Sequence, residues 1–229
     1  MPSDLNVAPP QAPAAPNYTV HFRCDDYLIV SKDSGLLSVP GKGEHLSDSL
    51  LTRLEAAEPN VKLVHRLDRD TSGLMVFALN PTAQRNISKQ FETRLTDKVY
   101  QAILLGKVAQ NGQIDVPVRY EPLTPPLHVA DQDYPKHALT NFEVIDNFKI
   151  NNIDVTKVLL KPITGRSHQL RVHTQYIGHA IIGDALYADE VGVALADRLY
   201  LHAAVLAFNH PVTGERVSYR LDADFWSTT

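Results

Sequence analysis

An α+β fold carried by a largely antiparallel sheet is the architecture this sequence predicts. Strand-like runs outnumber helical ones, and the two do not alternate strictly, as they would around a doubly wound parallel sheet. No fixed-period repeat points to a solenoid or a propeller. At 229 residues, with 44% hydrophobic and 21% charged residues, the chain suits one domain with a self-sufficient core.

Residues 1–17 are rich in Pro and Ala and lack periodicity. A flexible tail is expected there, because so little apolar surface cannot offset the loss of chain entropy. Globular patterning begins at Tyr18, so residues 18–229 are expected to form the domain. YTVHFRC and YLIVSK read as two short strands around a polar Asp25-Asp26 turn. DSGLLSVPGKG has the Gly and Pro content of a loop. SDSLLTRLEAAEP reads as a helix capped by Ser47 and stopped before Pro59. The polar stretch HRLDRDTSG precedes LMVFAL, an apolar run that fits a buried strand. In NPTAQRNISKQFETRL, Asn80 is placed to cap a helix and Pro81 to fill its first position. Ala83, Ile87, Phe91 and Leu95 then form one apolar stripe.

KVYQAILLGKV, GQIDVPV, ALTNFEVI and DVTKVLLKPI follow as strand-like runs. SHQLRVHTQYIG reads as a helix entered from Thr164-Gly165-Arg166 and closed by Gly178. YLHAAVLAFNHP and ERVSYRL read as two last strands around a Pro-Val-Thr-Gly turn.

A single cysteine, Cys24, excludes an internal disulfide and fits a reducing compartment. No apolar run is long enough to span a bilayer. The opening MPSDLNVAPPQAPAAP lacks the basic and apolar regions of a secretory signal, so the cytoplasm is the expected location. No Cys/His cluster has zinc spacing and no glycine loop is built to cradle phosphate, so no metal is expected. The net charge of -4 runs against nucleic-acid binding as a global count. It remains compatible with a basic cleft on an acidic body.

Two long motifs carry a resemblance. HRLDRDTSGL (65–74) and LKPITGRSHQLRVH (160–173) resemble the two strongest signatures of the RluA-type RNA pseudouridine synthases. SKDSGLLSVPG, KVYQAILLG, GDALY and LYLHAAVLAF also sit in family order, so the resemblance covers about residues 20–225. It implies a bent, mixed, mainly antiparallel sheet flanked by helices and loops, with a central RNA-binding cleft. It also implies an isomerase that needs no cofactor, since breaking the C–N glycosidic bond and rejoining the uracil through C5 involves no net oxidation. The expected partner is structured RNA, a large-subunit ribosomal RNA hairpin or a tRNA anticodon stem-loop, and a monomer suffices.

The same resemblance gives residues their expected roles. Asp68 is the acid that starts the reaction, by attacking C1′ or by taking a ribose proton. By itself, an Asp before Thr-Ser-Gly is also good turn chemistry. Arg171 is the guanidinium that keeps that acid charged. Tyr100 stacks on the flipped uracil, and its hydroxyl is a candidate for removing the C5 proton; an ordinary strand tyrosine is the bland alternative. Arg66, two residues before Asp68, shares its direction in a locally extended segment and helps to fill the gap left by the flipped base or holds the displaced strand. His65 shapes the loop and touches RNA. Arg166 and His168, near a helix start, are expected phosphate contacts.

The sequence departs from the family where a basic loop normally grips the RNA stem. RYEPLTPPLHVADQDYPKHALT offers Arg119 and Lys136 as RNA contacts but also Glu121, Asp131 and Asp133. Arg85, Lys89 and Arg94 are positioned to compensate. Two other functions compete: a non-catalytic RNA-binding module or chaperone, and a glycoside hydrolase using Asp68 with Asp70. Two carboxyls on one short loop are poorly suited to flanking a scissile bond.

Overall fold

The computed structural model describes residues 17–227, so the expected tail lies almost wholly outside the described residues. The chain opens with β1 (Tyr18–Arg23), β2 (Tyr27–Lys32), α1 (Leu50–Ala57) and β3 (Lys62–Leu63). It continues with β4 (Ser72–Ala78), α2 (Pro81–Glu92), β5 (Asp97–Leu105) and β6 (Gly112–Asp115). A hairpin of β7 (Val118–Tyr120) and β8 (His128–Ala130) leads into β9 (Leu139–Ile150) and β10 (Ile153–Pro162). Then come α3 (Gln169–Tyr176), α4 (Glu190–Ala194), β11 (Leu201–Asn209) and β12 (Arg216–Arg220).

One large sheet runs in the order β1-β2-β4-β11-β5-β10-β9-β6, with β12 beside β11 and β3 beside β4. Its pairs are antiparallel except β4 with β11, where Ser72 faces His202 and Gly73 faces Ala203. That parallel contact joins the two halves of the molecule, and residues 65–71 lead directly into it. The expected mixed, mainly antiparallel α+β fold is therefore present.

β2 from Tyr27 to Val30 and β4 from Leu74 to Ala78 are continuous apolar runs because both faces are covered. Leu28, Val30, Met75 and Phe77 pack with Leu50 and Leu54 of α1, while Tyr27, Ile29, Leu74 and Val76 pack with Ile87 of α2. Asn80 caps α2 by accepting from the Ala83 amide at 2.8 Å, with Pro81 next to it, as the sequence predicts. Gly178, at φ 84, follows α3. 

Three local expectations are corrected. Ser49, not Ser47, caps α1, because Ser49 and Thr52 form a reciprocal capping box. Leu95 leaves the apolar stripe and is 55% exposed, because α2 ends at Glu92 and Arg94 turns left-handed at φ 61. GQIDVPV is two strands rather than one, divided before Val118 at Pro117, whose missing amide cannot serve a ladder. The long β9–β10 hairpin turns on Asn151 and Asn152, both at positive φ, a turn signal present in the sequence that the reading above does not use.

Gly73 is where backbone meets backbone. It sits at φ 112, and a Cβ there would lie 2.5 Å from the Ala203 amide nitrogen and carbonyl oxygen. Gly73→Ala is expected to cost about 2–4 kcal/mol through strain and overpacking at the parallel junction. Urea denaturation of the purified variant measures it, and a loss under 1 kcal/mol would show that the junction can relax.

Candidate active site

HRLDRDTSG forms neither helix nor strand until Ser72, so something else must hold it. The holder is the SKDSGLLS segment. The Lys32 ammonium is buried and donates to three carbonyls, those of Asp33 (2.8 Å), Leu36 (2.7 Å) and Arg69 (2.7 Å). Burial pushes its pKa down to about 7, against the pull of Asp70, Asp68 and Asp33. The Gly35 amide donates to the same Arg69 carbonyl, and the Ser34 hydroxyl donates to the Asp70 carbonyl. The Ser38 hydroxyl both donates to the Leu67 carbonyl and accepts from the Leu67 amide. At the far end of the loop, Ser72 Oγ lies 2.8 Å from His202 Nδ1. Two sequence motifs thus form one clamp.

Within that clamp, Leu67 is buried while Arg66 and Asp68 both line a cavity between the loop, β5 and the start of α3. The Asp68 side chain keeps 21% exposure at the cavity wall, and its Oδ2 lies 4.0 Å from Arg171 Nη1.

Arg171 is 3% exposed, and its tighter partner is Asp184, which sequence reasoning missed as a site residue. Arg171 Nε and Nη2 donate to the two Asp184 oxygens at 2.7 and 2.6 Å. Asp184 is itself fully buried and also accepts from the Leu186 and Tyr187 amides. Burial opposes the Arg171 charge, yet Asp184 and then Asp68 raise its pKa overall. The guanidinium also lies 4.9 Å over the Tyr187 ring. The signal was present in the sequence: GDALY contains both partners.

Tyr100 rises from β5, opposite Leu160 of β10 and Ala203 of β11, into the same cavity. Burial, and then the Asp68 carboxylate, push its phenol well above the usual range. It is therefore a protonated hydroxyl at neutral pH in the free protein.

His168 enters α3 in a left-handed conformation, φ 54, and makes no side-chain cap. Its Nδ1 lies 2.6 Å from the Tyr187 hydroxyl, and the residue lines the Asp68 cavity. Arg166 sits at the exposed rim, its Nε donating to the His137 carbonyl at 3.1 Å. His65 stacks on Phe91 at 4.4 Å and accepts the Val76 amide on Nε2, so it mainly holds the loop. Burial, and then Lys98, push its pKa down to about 3.

Arg119, an expected RNA contact, is engaged within the protein: its Nε donates to Asp131 at 2.6 Å and its Nη1 to Glu121 at 2.9 Å, so it ties the β7–β8 hairpin together. Lys136 is exposed beyond that hairpin. The cationic surface lies elsewhere. A second, wider cavity shares Arg66, Lys98, Tyr100 and Arg166 with the first and adds Arg94, with Glu92 as its acid. This is the basic cleft that the acidic net charge left open. Lys98, in the K-V-Y-Q motif, is a second residue that sequence reasoning passed over.

Two predictions follow from this wiring. Asp184→Ala strands a buried guanidinium and is expected to cost about 3–5 kcal/mol in stability, together with most of the activity. Thermal melts and an RNA modification assay read the two effects. Desolvation pushes the pKa values of half-buried His65 and buried His202 down to about 3 and about 4. Between those values and the unfolded value near 6.5 the unfolded chain binds protons that the folded chain refuses. Stability therefore falls on acidification below about pH 6.5, by up to about 1.4 kcal/mol per pH unit for each ring. Urea midpoints at pH 7, 6 and 5 test this, and a flat profile would mean that the rings are not buried neutral.

Comparison with known proteins agrees with the geometry. A family described as RNA pseudouridylate synthase matches residues 26–176. The chain is 43% identical over 216 residues to the dual-specificity RNA pseudouridine synthase RluA of Vibrio vulnificus, covering 93% of this chain and 86% of that one. It is 40% identical over 221 residues to the RluA of Escherichia coli K12, covering 96% and 98%. Among solved structures, human RNA pseudouridylate synthase domain containing 1 superposes with a TM-score of 0.78 at 29% identity, over 91% of this chain and 84% of that one. The chain belongs to the RNA pseudouridylate synthase family, and it is an isomerase that converts uridine to pseudouridine in RNA.

Proposed function

We infer that Asp68 performs the covalent chemistry of this isomerase, on a uridine flipped out of a structured RNA loop. The observation that carries this reading is the placement of Asp68. It is a half-buried carboxylate on a clamped loop, facing a guanidinium that a second buried acid holds in place. Beside that guanidinium, Asp68 either attacks C1′ or removes a ribose proton to give a glycal. The pair of electrons of the C1′–N1 bond passes to the uracil in either case. The freed base turns and C5 bonds to C1′ as the bond to Asp68 breaks or the glycal takes back its proton; C5 then loses its proton and N1 gains one, so no atom is gained or lost overall. Tyr100 lies under the base and supports stacking. When the Asp68 charge is consumed by bond formation, the carboxylate's upward pull on the phenol disappears, which eases a later proton transfer through that hydroxyl.

Flipping a base out of its stack costs roughly a few kcal/mol. Arg66 and Arg166, on the rim shared by both cavities, together with Arg94 and Lys98, are placed to recover that cost through phosphates and the displaced strand. Recognition then rests on loop shape and extruded bases. The substrates we propose are a tRNA anticodon stem-loop and a hairpin of large-subunit ribosomal RNA, in line with the dual-specificity naming of its relatives. The reading further has the protein act in the cytoplasm as a monomer. A lone cysteine is consistent with that compartment.

A hydrolase using Asp68 and Asp70 is disfavoured. Asp70 does not line the Asp68 cavity; its carboxylate lies 3.8 Å from Arg69 and is 46% exposed. Among the described residues lining that cavity, no acid accompanies Asp68.

Asp68→Asn is expected to abolish turnover, at least about 1,000-fold, as loss of a covalent nucleophile does, with its melting temperature nearly unchanged. Wild type should yield pseudouridine and no free uracil from RNA without additives. Released uracil would indicate hydrolysis, and a fully active Asn variant would remove Asp68 from the mechanism. Mapping pseudouridine in total RNA with and without the protein identifies the targets.

A further inference from the structure

His168 is more than a residue at a helix entrance. A non-glycine residue in left-handed backbone is uncommon and is held only where the surroundings demand it. Here the surroundings fix the imidazole as well. The Tyr187 hydroxyl accepts from the His128 amide at 2.9 Å and lies 2.6 Å from His168 Nδ1, so its own proton is free to go to that nitrogen. The His128 ring packs against His168 at 4.7 Å and the Tyr187 ring meets it edge-on at 5.6 Å. With Nδ1 as acceptor, the neutral ring carries its hydrogen on Nε2. Among the described residues Nε2 has no hydrogen-bond partner, and His168 lines the cavity that holds Asp68, Tyr100 and Arg171. Burial also lowers the pKa of the ring, more than Asp68 raises it, which keeps this donor neutral.

We propose that His168, held as its Nε2–H tautomer by the Tyr187 hydroxyl, is a catalytic residue that donates a hydrogen bond to a carbonyl oxygen of the flipped uracil. The inference rests on the Asp68 reading above. When the C1′–N1 bond breaks, its electron pair moves onto the uracil ring and is shared with the carbonyl oxygens. A fixed donor at such an oxygen stabilises that charge more than it stabilises the neutral base. No proton leaves His168, so the ring is unchanged over the cycle and the isomerisation balances as before. This replaces the phosphate contact expected from the sequence.

The test uses two variants that separate the two ring nitrogens. His168→Asn suits left-handed backbone and places a polar group near the Nδ1 position, so the fold and the Tyr187 contact survive while the Nε2 donor is lost. His168→Gln places its amide nitrogen near the Nε2 position. The expected result for His168→Asn is a single-turnover rate reduced about 10- to 100-fold, with RNA affinity within about threefold and an unchanged melting temperature. His168→Gln is expected to recover part of that rate. Long-range 1H–15N spectra of the free protein should show the Nε2–H tautomer at His168, and Tyr187→Phe should shift it. A wild-type rate in His168→Asn, a defect confined to RNA affinity, or an Nδ1–H tautomer in wild type would each overturn the proposal. Asp68→Asn assayed in parallel keeps the two readings apart. If it is inactive while His168→Asn is unimpaired, only the His168 proposal fails; if it is active, the Asp68 reading fails first.

Discussion

The site depends on one buried ion pair. Asp184 grips two nitrogens of Arg171 in a place where neither charge reaches solvent, leaving the third nitrogen turned toward Asp68. A buried pair contributes little net stability against a well-packed apolar alternative. What it gives here is direction: a planar guanidinium fixed along one edge can point its other edge one way only. Tyr187 completes the arrangement, lying beneath the guanidinium and binding His168 through its hydroxyl.

The acid is positioned by different physics. The loop that carries Asp68 has no ladder of its own, so its carbonyls are satisfied by side chains from the segment after β2. Lys32 alone serves three carbonyls, one from the catalytic loop. Burying an ammonium is costly, and the lowered pKa of Lys32 records that cost. Gly73 then allows β4 to close on β11 at the junction between the two halves of the sheet. Loop and sheet thus share one set of constraints, so a change in either is expected to move the carboxylate.

Charge distribution reconciles an acidic protein with an RNA substrate. In the β7–β8 hairpin the cation is neutralised locally, Arg119 by Glu121 and Asp131. Around the cleft, Arg66, Arg94, Lys98 and Arg166 face a single lining carboxylate besides Asp68, that of Glu92. Net charge sets the far field, whereas a phosphate in the cleft responds to the near one, since charges beyond about 8–10 Å are screened at physiological salt.

Much of this was legible in the chain itself. Asn80 and Pro81 announced α2, Gly178 ended α3, and the apolar run before Asn80 announced a strand covered on both sides, because caps and burial patterns are local properties. The motif around Asp68 and the block around Arg171 pointed to the chemistry. The sequence by itself determined which residues could react and which local elements would form. Only the tertiary structure decided that Asp184 rather than Asp68 is the close partner of Arg171, that Arg119 is a strut, that Ser49 displaces Ser47 as a cap, and that His168 shares the cavity of Asp68. Each of those depends on which of several chemically equivalent groups lies within about 3 Å of another, and that distance is set by how distant segments pack.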